Sequence, residues 1–135
     1  MSQAQPLWRP SPARIAASNL TRFMAEASRL AGRTLADYQS LWRWSVEDRG
    51  AFWRLVWTFT GIVGDGPGEP AIADDGKMPG ARFFPQSRLN FAENLLCRND
   101  ATRAIEFWGE DKVRRSMSWT ELHQAVSRLQ QALKA

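Results

Sequence analysis

ARFFPQSRLNFAENLL, residues 81–96, follows a run of Gly and Pro and decides how the chain is read. It packs three Phe, two Arg, two Asn and one acid into sixteen residues. Pro85 bars Phe84 from helical geometry, so ARFFP is expected to be extended, with Phe83 and Phe84 pointing to different sides. Asn90 is placed to cap a helix that begins at Phe91, and Glu93, three residues on, to close a capping box. Phe91, Leu95 and Leu96 would then anchor a short helical turn by their apolar faces. The stretch reads as a strap made of an extended arm, a cap and a docked turn.

Upstream, the pattern is helical. Ser11 is a suitable N-cap, Pro12 fits the first helical position and Gly32 fits a C-terminal cap. Between them Leu20, Phe23, Met24, Ala27, Leu30 and Ala31 recur at helical spacing, so one amphipathic helix of about 19 residues is expected. Tyr38, Leu41 and Trp42 fit a short second helix. Ser45 reads as the N-cap of a third, with Glu47 and Asp48 in its first turn, where the helix dipole favours acids. Phe52, Leu55, Val56 and Phe59 form its stripe, with Trp53 and Trp57 beside it. So wide an apolar face implies burial on more than one side. Core packing accounts for the Trp stripe better than a ligand platform does.

Residues 64–80, GDGPGEPAIADDGKMPG, hold Gly or Pro at eight of seventeen positions and read as an irregular connection. They lack the lysine–serine/threonine ending of a phosphate loop. Asp74 and Asp75 are read as solvated acids rather than as cation ligands.

After residue 98 the period changes. TRAIEFWGEDKVRRSMSW, residues 102–119, reads as two strands around the turn Gly109-Glu110-Asp111. Ser118 caps a final helix and Glu121 completes its capping box. Leu122, Ala125, Val126, Leu129, Ala132 and Leu133 then repeat at helical spacing. A two-stranded hairpin with one helix is marginal alone, so a longer protein is expected.

The 135 residues carry 18 Lys plus Arg against 14 Asp plus Glu, a net charge of +4. The charges are interspersed apart from Arg114-Arg115, which suits a solvated mixed surface better than a nucleic-acid stripe. Residues 1–36 hold five Arg against the single acid Glu26, a transit-peptide-like balance, but the helical pattern continues unbroken and an ordinary basic helix face is preferred. One Cys and one His exclude an intrachain disulfide and a thiolate- or histidine-based metal site. No apolar run is long enough to span a membrane and no signal core follows Met1, so a cytoplasmic chain is expected.

Little here reads as chemistry. His123 is expected on the surface of the last helix, with no nucleophile or acid placed beside it. Cys97 is expected to be a small buried filler. Glu93 is read as a cap partner rather than a general acid. No catalytic, cofactor-binding or metal-binding residue is assigned.

Four blocks carry a family resemblance. They are PLWRPSPARIAASNLTRF, LWRWSVEDRGAFWRLVW, MPGARFFPQSRLNFAENLL and RSMSWTELHQAVSRLQQAL, in that order. Together they resemble the start of the acetoacetyl-CoA synthetases, which are acetoacetate–CoA ligases of the adenylate-forming acyl-CoA synthetase superfamily. The ending Glu93-Asn94-Leu95-Leu96-Cys97-Arg98 differs from the NCLDRH-like ending usual in acetyl-CoA synthetases. The departures are Phe83 where the family often has Trp, Gln86-Ser87 where it often has Gly-Ala, and Phe91 for Tyr.

The resemblance implies an α+β fold. N-terminal helices and an extended strap come first, then a β-hairpin and helix that begin the main adenylation domain, as a fragment of a larger α/β enzyme. It implies a helical cap region over 1–98 and the truncated start of the AMP-binding domain over 99–135. In the whole enzyme acetoacetate, ATP and CoA would give acetoacetyl-CoA, AMP and diphosphate, with ATP, Mg and CoA bound outside this segment. The segment itself would be structural and inactive alone, with the missing adenylation domain as its partner and neither nucleic acid nor membrane. Arg82 and Arg88 would make structural contacts, with CoA phosphates as the alternative. Two rival readings are a stand-alone Trp-rich helical interaction module and the N-terminus of an acetyl- or propionyl-CoA synthetase.

Overall fold

Ser11 opens the first helix, as its place before Pro12 predicts. Its hydroxyl accepts from Arg14 N, and α1 runs Pro12–Ala16. The expected single helix is in fact two. Ser18 turns extended, with φ −75° and ψ 147°, and its side chain accepts from Thr21 N to cap α2, Asn19–Ala31. The Thr21 hydroxyl reaches back to Ile15 O at 2.6 Å, so the break is bonded from both sides. Serine competes for backbone donors in this way, and apolar periodicity alone does not register it. Gly32 ends α2 at φ 64°, a left-handed cap that glycine adopts without a Cβ clash.

The computed structural model describes residues 7–134. Pro6, within the first quoted block, and the reading of the residues after Met1 lie outside the described residues. Two compact units divide the chain, one ending at Arg88 and the other beginning at Leu89.

In the first unit, α3 is Tyr38–Glu47 and α4 is Arg49–Thr60. Here the expectation fails at Ser45. That residue lies inside α3 and donates its hydroxyl to Trp42 O at 2.7 Å, while Asp48 caps α4 by accepting from Ala51 N. Keeping Ser45 helical leaves Leu41 and Trp44 on one face, and both are buried. The cap of α3, which the sequence reading passed over, is a capping box between Asp37 and Ser40. Gly61 closes α4 at φ 69°.

The core joins α2, α3 and α4. Ala27, Leu35, Leu41, Trp44 and Leu55 are buried, with Phe23, Met24 and Phe52 packed against them. Phe23 meets Phe52 and Phe59 edge-on, with ring centroids 5.8 and 5.1 Å apart, an arrangement that aromatic quadrupoles favour. The Ser28 hydroxyl donates to Met24 O and accepts from Leu35 N at 2.9 Å, seating Leu35 in that core. Two short strands, β1 (Ile72–Ala73) and β2 (Arg82–Phe83), pair antiparallel beyond α4.

The second unit holds α5 (Phe91–Leu95), β3 (Arg103–Trp108), β4 (Arg114–Ser118) and α6 (Trp119–Lys134). β3 and β4 form the expected hairpin, with Phe107 opposite Arg115, Ile105 opposite Met117 and an irregularity between Arg103 and Ile105. Gly109 N donates to Val113 O at 2.7 Å to close the turn. The capping box of α6 forms as read: Ser118 N donates to Glu121 Oε2 and Glu121 N to Ser118 Oγ. Helices with small antiparallel sheets make the fold α+β. Among the described residues, no helix is long and apolar enough to cross a membrane.

Candidate functional site

The strap divides at Arg88, and its two halves belong to different units. In the first half, β2 lies on β1 with Ile72 opposite Phe83 and Ala73 opposite Arg82. Phe83 packs edge-on against Trp53 with centroids 5.3 Å apart, and Phe84 against Trp57 at 5.0 Å. The two Trp that sit beside the α4 stripe thus receive the two Phe of this half of the strap. Trp57 is buried and Trp53 is partly covered.

Phe84 departs from the expected extended arm. Its φ is 45°, so the arm ends at Phe83 and the chain turns there. Pro85 disfavours the right-handed helical region for Phe84 but leaves this left-handed one to be held by contacts. Phe84 N donates to Ala71 O at 2.8 Å, and Phe84 O accepts from Ser87 N at 3.0 Å. Ser87, at one of the positions that depart from the family pattern, then ties the strap down. Its hydroxyl accepts from Gly68 N at 3.0 Å and donates to Gly66 O at 2.7 Å. Asp65 N donates to Arg88 O beside it. A Cβ on Gly68 would come within 3.3 Å of Gln86 Cβ, so a side chain there would press on the strap.

Charges fasten the same loop. Arg54 grips Glu69 through two bonds of 3.0 and 2.7 Å. Asp75 pairs with Arg49. Asp74 pairs with Lys77 at 2.9 Å and with Arg82 at 3.2 Å. The acids read as solvated are therefore engaged by side-chain cations. The hydrogen bond from Lys77 holds the Asp74 carboxyl below its ordinary range, against partial desolvation, and Arg82 adds to it. Arg82 makes the structural contact expected of it.

The second half is a cap and a turn. Asn90 Oδ1 accepts from Ala92 N at 2.9 Å and from Glu93 N at 3.4 Å, as its position predicts. The apolar anchors do not dock as expected. Phe91 is 74% exposed and Leu95 59%, because no described residue of this unit is buried and the unit offers no core to receive them. Cys97, expected as a buried filler, is exposed for the same reason. His123, expected on the surface, is half-buried, with Nε2 at 2.7 Å from Arg98 O and 3.1 Å from Leu96 O. Sequence spacing gave no sign of this contact, because it joins a helix to a loop 25 residues away.

Among the described residues, no group of three or more His, Cys, Asp or Glu is arranged to hold a metal ion. The first unit does carry an open apolar groove of about 760 Å³ lined by Trp8, Ile15, Leu20, Met24, Leu35 and Tyr38. Its Ser18, Thr21 and Ser28 hydroxyls are already bonded to neighbouring chain. The hydrogen bonds, ion pairs and ring contacts described above fasten one segment to another.

Residues 38–95 match the family described as the acetyl-coenzyme A synthetase N-terminus. The chain is 45% identical over 135 residues to the acetoacetyl-coenzyme A synthetase of Rhizobium meliloti (strain 1021), covering 100% of this chain and 21% of that protein. It is 30% identical to malonamoyl-CoA synthetase vrtB of Penicillium aethiopicum, over 96% of this chain and 18% of that protein. The solved structure of acetoacetyl-CoA synthetase from Streptomyces lividans matches with a TM-score of 0.82 and 34% identity, over 97% of this chain and 21% of that one. The chain thus spans about a fifth of the length of relatives such as these.

The class is therefore that of the acyl-CoA synthetases, and the segment is the N-terminal region of the acetyl-CoA synthetase type. Within that class the chain belongs with the acetoacetyl-CoA synthetases, whose N-terminal portion it matches along its whole length.

Proposed function

We propose that this chain is the structural N-terminal part of an ATP-dependent acetoacetate–CoA ligase that works in the cytoplasm. The whole enzyme would join acetoacetate to CoA while ATP is cleaved to AMP and diphosphate. The observation that carries the reading is the likeness to acetoacetyl-CoA synthetase at 45% identity across all 135 residues. The clamped strap is consistent with it, since its contacts position backbone and aromatic rings rather than reacting groups.

ATP, Mg and CoA would be held outside this segment, a reading supported for the metal by the lack of any group of three metal-ligating side chains among the described residues. No catalytic step is assigned to this chain. Its partner is the adenylation domain of the same enzyme, which would meet the exposed apolar faces of the second unit.

The test is an ATP- and CoA-dependent ligase assay with acetoacetate, run on this chain and on a protein in which it is continued through its reading frame. Activity in the extended protein alone is the expected result. Activity in the 135-residue chain would contradict the structural role. Inactivity in both would favour an interaction module, a reading to which the exposed Trp8 and Trp42 lend themselves.

A further inference from the structure

The loop between α5 and β3 is fastened to the start of α6 through alternate carbonyls. Leu96 O and Arg98 O face His123 Nε2 at 3.1 and 2.7 Å. Asp100 O accepts from Thr120 N, and Thr102 O from Trp119 N, both at 3.1 Å. The loop is braced internally as well. The Asp100 carboxylate accepts from Thr102 N at 2.8 Å, from the Thr102 hydroxyl, and from Arg98 Nε and Nη2 at 3.1 and 2.9 Å.

Two of the first free N–H groups of α6 are thus satisfied by loop carbonyls, while Glu121 N bonds the Ser118 hydroxyl. His123 extends the same arrangement one turn further. A carbonyl oxygen only accepts, so a ring nitrogen facing two of them must carry the proton.

We propose that His123 is a lock. Its Nε2–H donates to both Leu96 O and Arg98 O, and this bifurcated bond holds residues 96–98, from the last residue of the strap onward, against α6. The ring keeps a proton at Nε2 and serves as a structural donor. The lock depends only on contacts within the second unit and stands whether or not the whole protein is a ligase.

The Arg98–Asn99 bond reads this directly, because its carbonyl is one that His123 engages and its Arg side chain is held by Asp100 and Thr102. Limited trypsin digestion should cut slowly after Arg98 relative to Lys112, in the exposed turn between β3 and β4. His123→Phe should speed that cut roughly tenfold, the effect of removing one such bond, and His123→Gln, whose amide still donates, should restore part of the protection. Equal rates in the unaltered chain and in His123→Phe would overturn the lock.

A second measurement does not depend on any variant folding. His123 is the chain's single histidine, so its ring nitrogens give one set of NMR signals. A proton held at Nε2 and exchanging slowly with solvent is expected. A ring exchanging between both tautomers at the rate of free histidine would overturn the proposal.

Discussion

The two units solve the same problem differently. The helical unit closes on itself: every buried hydrophobic residue described, from Ala27 to Ala71, lies before Arg88. The hairpin unit has comparable local order, with a capping box, a closed turn and a locked loop, yet none of its described residues is buried. Ile105, Phe107, Leu129 and Leu133 remain about half exposed or more. Backbone hydrogen bonds and caps set the shape of an element; burial supplies most of its stability. One unit has both, and the other has shape with its apolar faces open.

Substitutions should show this difference, and the largest effect is expected in the core. Trp44→Ala should destabilise the helical unit by about 3–5 kcal/mol, read from urea unfolding followed by far-UV circular dichroism. A cost below about 1 kcal/mol would mean that the α2–α4 core is not formed. Gly61→Ala comes next. At φ 69° an alanine is strained although there is open space around it, so about 1–2 kcal/mol should be lost from the same unit. Ser18→Ala removes the cap that separates α1 from α2 and should cost about 1 kcal/mol. At the small end, Leu129→Ala on the 62% exposed face of α6 should change stability by no more than about 0.5 kcal/mol. A loss comparable to that of Trp44→Ala would erase the contrast between the units.

Acid should act on both. Asp37 is held below its ordinary 3.8 by bonds from Ser40, and Asp74 by Lys77. In the other unit Asp100 is lowered by the Thr102 hydroxyl and N–H, and Glu121 falls below its ordinary 4.5 through the Ser118 N–H and hydroxyl. A carboxyl whose value is depressed by folding contributes stability that is complete above its unfolded value and lost as pH falls through the folded one. Stability should therefore hold down to about pH 5 and decline below about pH 4, seen as falling urea midpoints. A midpoint that rises on acidification would contradict these bonds.

What the sequence made legible was local. Ser11, Gly32, Asn90 and the Ser118–Glu121 box are caps whose partners lie within four residues, and each forms. The hairpin follows from strand alternation around Gly109. Errors arose where two local signals compete. Ser45 and Asp48 are both capping residues, and the burial of Leu41 and Trp44 on one helix decided for Asp48. Ser18 sits inside an apolar period that continues past it, so the period concealed the break. The strap's aromatic pairing on Trp53 and Trp57, the left-handed Phe84 and the His123 contact all depend on the tertiary path of the chain, which spacing does not encode. The strap was legible as an object, and its division between two units was not.

Residue-resolved hydrogen exchange on the 135-residue chain tests the contrast most directly. Amides in α2, α3 and α4 should exchange slowest and together, as a single cooperative unit, while those of α6 beyond Leu129 exchange orders of magnitude faster. Equal, strong protection along the whole of α6 would contradict the account, because it would show that the hairpin unit buries its helix as thoroughly as the helical unit buries its own.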